Sequence, residues 1–491
     1  MKNKMTVISR RNILKGLGLG VTATLAACAA PVAAPKAAEP TAAAPVAGAT
    51  AAVPTPIPAP TITPVPLVPQ PDGSIKLSFW YGLGGNLGNV VRQVVNKYNQ
   101  SQSKFYVDAV FQSSYEDTIN KINTSLAGGE LPNVVQVFDA GTQRMIDSKR
   151  IRPVDDLLKA DGMEKIMDDI EPAVRSYYSV NNKMYSMPFN SSTAMTYLNK
   201  GALKEAGLDT EKKIYTYSEL FDAAKKMTKK SGDKVERMGL AFNNTGSWFF
   251  EQQHAVHEAL MAEPGNGRQE RATKYVWNDE TGVKWAEFLK SFADAGTGTY
   301  FSSGNPEAAF VSGQVAIHFA SIASLRGIVA SAEKNNVEVA VAFMPRRDGA
   351  KVGRTIIGGA SVWLTDTGTP EQQAGAWDFV KFATNTETQG FWSANTGYYP
   401  IRQSSYETPD MKEALTKYPQ FNVAIDQIRS APSNAFNSGV ISGTFVPMRQ
   451  EVQKAMDLFW TGKTASAKEA LDAGVAKANK QLEEYNSTVK A

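Results

Sequence analysis

A chain of 491 residues is too long for one compact core, so two or more globular units are expected. Hydrophobic residues at 43% and aromatics at 10% are ordinary for a soluble globular protein. The formal net charge is +4, but Lys2, Lys4, Arg10, Arg11 and Lys15 fall within the first 27 residues, which hold no acid, so the remainder carries −1; a near-neutral body argues against nucleic acid as the main partner.

The N-terminus reads as a targeting segment. Ser9-Arg10-Arg11-Asn12-Ile13-Leu14-Lys15 looks like a twin-arginine export signal. The apolar run behind it, residues 16–27, is too short to span a bilayer. It ends in Leu25-Ala26-Ala27-Cys28, the small-residue pattern at which lipoprotein signal peptides are cut. Cys28 is the single cysteine, so an intrachain disulfide or a thiolate metal cluster is impossible. The expectation is a signal peptide over 1–27, lipid on Cys28, and a mature chain held on the outer face of the cell membrane. Residues 28–73 are mostly Ala, Pro, Thr and Val; they read as an extended tether reaching up to ~140 Å at a polyproline rise of about 3.1 Å per residue.

Folding is expected from Ser74. Residues 75–80 read as a strand, 87–99 as an amphipathic helix, 105–111 as a strand, 115–127 as a helix and 134–138 as a third strand. That β-α-β-α-β order calls for a parallel sheet with helices on its faces. Short helices follow to residue 167, and Asn181-Asn182 marks a hairpin. The stretch from Pro188 to Lys200 has two characters. Pro-Phe-Asn-Ser-Ser-Thr is small, polar and turn-prone, whereas Met195 to Asn199 alternates like a half-buried strand. We read it as the crossing between two lobes.

Beyond it the α/β pattern restarts. Thr216 to Glu219 is a capping box heading a helix through Lys229. Strands are expected at 239–242, 315–319 and 337–343, and helices at 248–261, 283–293 and 325–334. A break over 345–354 leads into Ile356-Ile357-Gly358-Gly359-Ala360-Ser361-Val362-Trp363. Helices follow at 371–383 and 389–396, then a turn at Gly397 to Pro400, and a largely helical tail from Met411.

Familiar chemical motifs are incomplete. Gly82-Leu83-Gly84-Gly85-Asn86-Leu87-Gly88 is one residue too long for a dinucleotide fingerprint, and Asp108, the acid for a ribose, lies inside an apolar strand. His254, His257 and Glu258 would need a histidine where Met261 stands to form a zinc-protease helix. His318, in an apolar strand, reads as a satisfied core histidine. No acidic pair stands out as a general acid/base couple. Neither metal nor cofactor is expected. What remains is a scattered set at strand ends, helices and loops: Tyr115, Asp139, Ser192, Trp248, Ser321, Gly359, Tyr398 and Arg449. Taken singly, each has an ordinary structural use as a cap, turn, bulge, core or surface residue.

Several runs carry a resemblance: Gln136 to Thr142, Pro188 to Thr193 with Tyr197-Leu198-Asn199-Lys200, Ala206-Gly207-Leu208-Asp209, Ile356 to Trp363, Thr396 to Ile401, and Trp460-Thr461-Gly462-Lys463, which sets the register of Arg449. From about Phe79 onward the chain resembles the family-1 extracellular solute-binding proteins of ABC importers, in the branch that takes glycerol 3-phosphate. The resemblance implies an α/β, two-lobed fold of the periplasmic-binding-protein type (type II) with a ligand cleft between lobes and a helical C-terminal tail. It implies a non-enzymatic, monomeric receptor that delivers a phosphorylated polyol to ABC permease subunits. The lobes would be 74–188 with 350–400, and 189–349 with 401–491.

Carried over by position, Ser192, Ser321, Gly359, Tyr398 and Arg449 would surround the phosphate, Tyr115 and Asp139 would hold the glycerol hydroxyls, and Trp248 would form an apolar wall. Guanidinium and hydroxyl donors suit phosphate oxygens, and a carboxylate accepts from a diol. Two departures stand out. Asp139 replaces the usual glutamate, and Trp248 stands where the branch has a pair of tryptophans. Both leave room for a glycerophosphodiester or a sugar phosphate. The rivals are an oligosaccharide receptor of the same family, a surface hydrolase of phosphodiesters or glycans, which needs a carboxylate pair or metal cluster in the gap, and an adhesive surface protein.

Overall fold

The computed structural model describes residues 63–243, 246–301, 305–351 and 353–489. The export signal over 1–27, Cys28 and the tether up to residue 62 lie outside the described residues.

The chain opens as its pattern requires. Strands β1 (Ile75–Tyr81), β2 (Phe105–Phe111) and β3 (Val134–Phe138) are parallel, joined by α1 (Gly85–Ser101) and α2 (Tyr115–Gly128). α1 buries Val91, Val94, Val95 and Tyr98 on one face. α2 begins at Ser114, whose side chain accepts from the Asp117 N–H, and stops at Gly129 in the left-handed region. After a short β4 (Ile151–Arg152) and α3 (Pro172–Tyr178), the Asn181-Asn182 hairpin turns with φ of 51° and 58°. Strand β5 (Met187–Ser192) follows.

Residues 65–68 are docked rather than tethered. The Val65 and Val68 N–H groups donate to the Asn89 and Asn96 side chains of α1 at 2.8 and 2.9 Å, and the Tyr106 hydroxyl donates to the Val68 carbonyl. Two asparagines two turns apart supply the partners that a proline-rich extended backbone cannot make for itself.

Thr193 alone separates β5 from β6 (Ala194–Asn199), and the two strands belong to different sheets. The polar stretch before it is therefore a strand and not the expected turn. β6 is also buried throughout instead of half-buried. Its polar side chains are satisfied inside: Thr196 donates to the Phe343 carbonyl, and Asn199 accepts from the Ala202 N–H, both at 2.9 Å. A buried hydroxyl left unpaired would cost about 1–3 kcal/mol, so each polar position here needed a partner rather than water.

The second sheet is built from β6, β7 (Lys234–Asn243), β8 (Gly298–Phe301), β9 (Val315–Ser321) and β10 (Val339–Ala342), in the order β8-β7-β9-β6-β10. β7 runs parallel to β8 and β9, and β6 runs antiparallel to β9 and β10. Helices α4 (Tyr217–Met227), α5 (Gly246–Val256) and α6 (Glu280–Asp294) pack beside it. The capping box of α4 is formed by Thr216 and Glu219. Tyr217 stacks on Phe288 at 4.1 Å, and Trp285 meets Phe319 at 5.7 Å. α5 ends short of the expected residue 261, because Glu258 adopts φ 51° and the Ala259 N–H returns to the His254 carbonyl.

The chain then re-enters the first sheet as β11 (Gly358–Thr365), antiparallel to β3 on one side and to β4 and β5 on the other. The first sheet is thus mixed, with order β2-β1-β3-β11, rather than wholly parallel. α7 (Pro370–Ala383) covers it, setting Phe379 5.4 Å from Phe79. α8 (Thr386–Asn395) and α9 (Gln420–Arg429) lead to α10 (Phe445–Trp460) and α11 (Ala467–Val489), which pack on each other and on α6.

The result is two lobes joined by several passages. Thr193 Oγ1 lies 2.8 Å from Thr355 Oγ1 and donates to the Ile356 carbonyl, while Gln427 donates to Thr193. A third passage is pinned where the Tyr399 N–H and hydroxyl donate to the carbonyls of Ser191 and Ser192.

Candidate functional site

The site lies at the carboxyl end of β3, beside the passages, where ligands of open α/β sheets bind. β3 stops at Phe138 and a single tight turn, Asp139–Gly141, leads into the next helix. Gly141 is needed there, since a Cβ would fall 2.3 Å from Ile119 and 2.4 Å from Val137. The turn buries the Asp139 carboxylate, 4% exposed.

Three elements converge on that carboxylate. From α3, the Tyr177 hydroxyl donates to Asp139 Oδ2 at 2.7 Å. From α10, Arg449 Nη2 donates to Oδ2 at 2.6 Å and Nη1 to Oδ1 at 3.3 Å. From α5, Glu251 takes the other edge of the same guanidinium: Nε donates to Oε1 at 2.6 Å and Nη2 to Oε2 at 2.9 Å. The guanidinium lies between the rings of Phe138 and Phe445, at 5.7 and 4.5 Å. Two carboxylates on one guanidinium leave a formal charge of −1. Burial pushes Glu251 up to about 7, against the pull of Arg449 and with the help of Asp139. Burial opposes the charge on Arg449, but the two acids hold it firmly protonated.

A second cluster adjoins the first. Tyr115 stacks on Phe138 at 5.4 Å, and its hydroxyl accepts from Asn190 Nδ2 at 2.9 Å. Gln136 donates to Asn190 Oδ1 and accepts from the Gly82 N–H. Burial, and then the neighbouring Tyr398, raise the Tyr115 hydroxyl well above its ordinary value. Tyr398 is buried and stacks on Trp392 at 5.6 Å. The Tyr178 hydroxyl is raised by burial and by the nearby Asp139 and Tyr398, and it has no partner among the described residues.

β11 threads between these groups. Gly359, at φ 114°, faces Asn190 so closely that a Cβ would sit 1.9 Å from its carbonyl oxygen. Gly358 pairs with Ser192, and the Trp248 indole lies against it; a Cβ there would come within 2.5 Å of the ring. Trp248 Nε1 is buried without a partner among the described residues. Ser321 stands at the end of β9, opposite Ala194. Its Oγ accepts from the Ala323 N–H and its carbonyl accepts from the Tyr197 hydroxyl.

All eight positions from the sequence border the region where the sheets meet. Asp139 is joined to Arg449. Tyr115 is joined through Asn190 to the region of Tyr398. Glu251, Tyr177, Tyr178 and Asn190 were missed. Glu251 was recoverable, because it stands three residues after Trp248 on the same helix and so shares its face. The acidic pair Asp139 and Glu251, which sequence alone did not bring together, shares one guanidinium. The histidines are engaged elsewhere: His254 with Phe250 and Asp279, His257 with Gln253 and Arg347. His318 is a buried core histidine, as expected: burial lowers it to about 4 against a backbone hydrogen bond with Ala241, and its Nδ1 has no partner among the described residues.

The model of a bacterial extracellular solute-binding protein family matches residues 93–421. The chain is 30% identical over 419 residues to the sn-glycerol-3-phosphate-binding periplasmic protein UgpB of Pectobacterium atrosepticum, covering 84% of this chain and 93% of that protein. The crystal structure of UgpB from Mycobacterium tuberculosis in complex with glycerophosphocholine shares the fold with a TM-score of 0.70 at 20% identity, over 84% of this chain and 100% of that one. The GacH receptor of Streptomyces glaucescens, solved unliganded and with acarbose, does so with a TM-score of 0.67 at 18% identity, over 84% and 99%.

Proposed function

We propose that this chain, which belongs to the family of bacterial extracellular solute-binding proteins, captures sn-glycerol 3-phosphate or a glycerophosphodiester and hands it to an ABC permease. Members of this family bind small molecules and work with such permeases; the phosphorylated ligand is our own step. The observation that carries it is the set of donors gathered at the end of β3. Arg449 stands on Asp139, the Tyr178 hydroxyl near the same acid and the Trp248 indole against Gly358, and the last two donors are buried without partners among the described residues. Buried donors without acceptors favour a ligand rich in oxygen, and a guanidinium favours an anionic one. The names of the relatives agree with that chemistry.

A second reading is a neutral oligosaccharide, as for the acarbose-binding neighbour. It draws support from the two carboxylates that already match Arg449. Calorimetric titration of the purified protein with sn-glycerol 3-phosphate, glycerophosphocholine and maltose separates the two. Binding of either phosphate ester without maltose supports the proposal, and binding of maltose alone refutes it. The export signal and Cys28 extend the proposal outward, to a receptor lipid-anchored on the cell membrane. Among the described residues, no helix is long and apolar enough to cross a membrane.

A further inference from the structure

In the structure Arg449 is already engaged on both edges of its guanidinium. Four of its N–H directions point at carboxylate oxygens, and both acids are almost completely buried, 4% exposed for Asp139 and 2% for Glu251. Bringing a phosphate to this guanidinium with every group ionised would add another negative charge to a buried cluster of net −1. Low-dielectric surroundings make that arrangement strongly unfavourable.

One of the acids must therefore give way, and the geometry decides which. Asp139 keeps a second donor, the Tyr177 hydroxyl, when Arg449 turns. Among the described residues Glu251 accepts from Arg449 alone. On its other side lies a cavity of about 10 Å3, lined by Glu251, His254, Met261, Asn266, Ile356 and Phe436. That is about the room a single water needs, a partner for the carboxyl once the guanidinium leaves it.

We propose that Glu251 competes with the ligand for Arg449, and that it releases the guanidinium by taking up a proton, so that capture of a phosphate ester draws one proton from solution. The carboxylate becomes a carboxylic acid, the guanidinium stays charged and passes to the phosphate, and for a phosphodiester, whose phosphate carries one charge, the net charge of the cluster with that group is unchanged at −1. This inference rests on the phosphate reading above.

The charged and titratable groups facing Glu251 are consistent with it. Arg449 comes from α10, Asp139 from the turn after β3, Tyr177 from α3, Tyr275 from the short strand Lys274–Tyr275, and His254 from α5 itself. Both tyrosines are held neutral, raised first by burial. The imidazole of His254 is bonded to the Phe250 carbonyl and to Asp279, turned to partners other than Glu251. With burial already pushing Glu251 up to about 7 in the free protein, the step lies within reach of neutral pH.

Glycerophosphocholine is the probe of choice, since a phosphodiester lacks the monoester ionisation near pH 6. Calorimetry at pH 8 in two buffers of different ionisation enthalpy should give uptake of about one proton per ligand, and affinity should fall about tenfold per pH unit above 7, where the free carboxyl is ionised. Glu251→Gln should abolish the uptake and flatten the pH profile while strengthening binding at pH 8. Uptake near zero in the natural protein, or equal uptake in Glu251→Gln, overturns the exchange but leaves phosphate capture standing. Binding of maltose alone, with no proton uptake, removes the phosphate reading and the exchange with it.

Discussion

Arg449→Met deletes the guanidinium that Asp139 and Glu251 share while keeping an apolar stem against Phe445. Four charge-assisted bonds disappear, of 2.6 and 2.9 Å to Glu251 and 2.6 and 3.3 Å to Asp139. Removing one partner of a buried ion pair costs about 3–5 kcal/mol, so a replacement meant only to stop ligand binding also weakens the fold. If the roughly 420 described residues melt as one unit, their unfolding entropy is about 0.9 kcal/mol/K, which makes the loss about 3–6 °C. Its pH dependence carries the sign. Glu251, raised to about 7 from an ordinary 4.5, is ionised at pH 8 and neutral at pH 5. The variant therefore loses a doubly matched guanidinium at pH 8 but only the Asp139 half at pH 5, where the drop should be roughly half as large. Scanning calorimetry of both proteins at the two pH values measures this. Equal drops at pH 5 and pH 8, or none at pH 8, would refute the shared-guanidinium argument.

Three further outcomes are expected. Gly359→Ala places a Cβ 1.9 Å from the Asn190 carbonyl at a backbone φ of 114°; urea unfolding should show a loss of at least about 2 kcal/mol, and an unchanged midpoint would mean that β11 shifts freely against β5. Asp147→Asn weakens the contacts by which the helix after β3 holds Arg271, at 2.6 and 3.0 Å, and the Tyr485 hydroxyl of α11, at 2.8 Å. Burial works against the Asp147 charge, yet Arg271, Tyr485 and Gln143 keep its carboxyl below the ordinary value, so its stabilisation persists above about pH 4 and fades in stronger acid. Thermal denaturation at pH 7 should show a lower midpoint for this variant, and an unchanged midpoint would count against these bonds. Cys28→Ser should move the protein from the membrane fraction to the soluble exported fraction, and retention on the membrane would exclude a lipid anchor at that residue.

Much of the architecture could be read locally. The alternation of β1, β2 and β3 with α1 and α2 follows from period and turn residues, because a helix face or a buried strand must repeat its apolar positions at fixed spacing. Thr216 and Glu219, and Asn181 with Asn182, signal their cap and hairpin for the same reason: the groups that satisfy the backbone there are within a few residues of it. Local reading went wrong at β5 and β6. Polar residues in that stretch suggested a turn and a half-exposed strand, whereas Thr193, Thr196 and Asn199 each find a buried partner, for Thr193 and Thr196 more than 140 residues away.

The amino-acid order alone thus determined most of the helices and strands, and that a set of hydroxyl, aromatic and charged side chains is available. It did not determine how those side chains combine. Arg449 lies 310 residues from Asp139 and 198 from Glu251, and no periodicity connects positions so far apart. Only the meeting of α5, α10 and the end of β3 puts two acids on one base. Burial there turns three ordinary surface-type residues into a coupled, net-negative cluster, because the energy of a charge depends on what replaces the water around it.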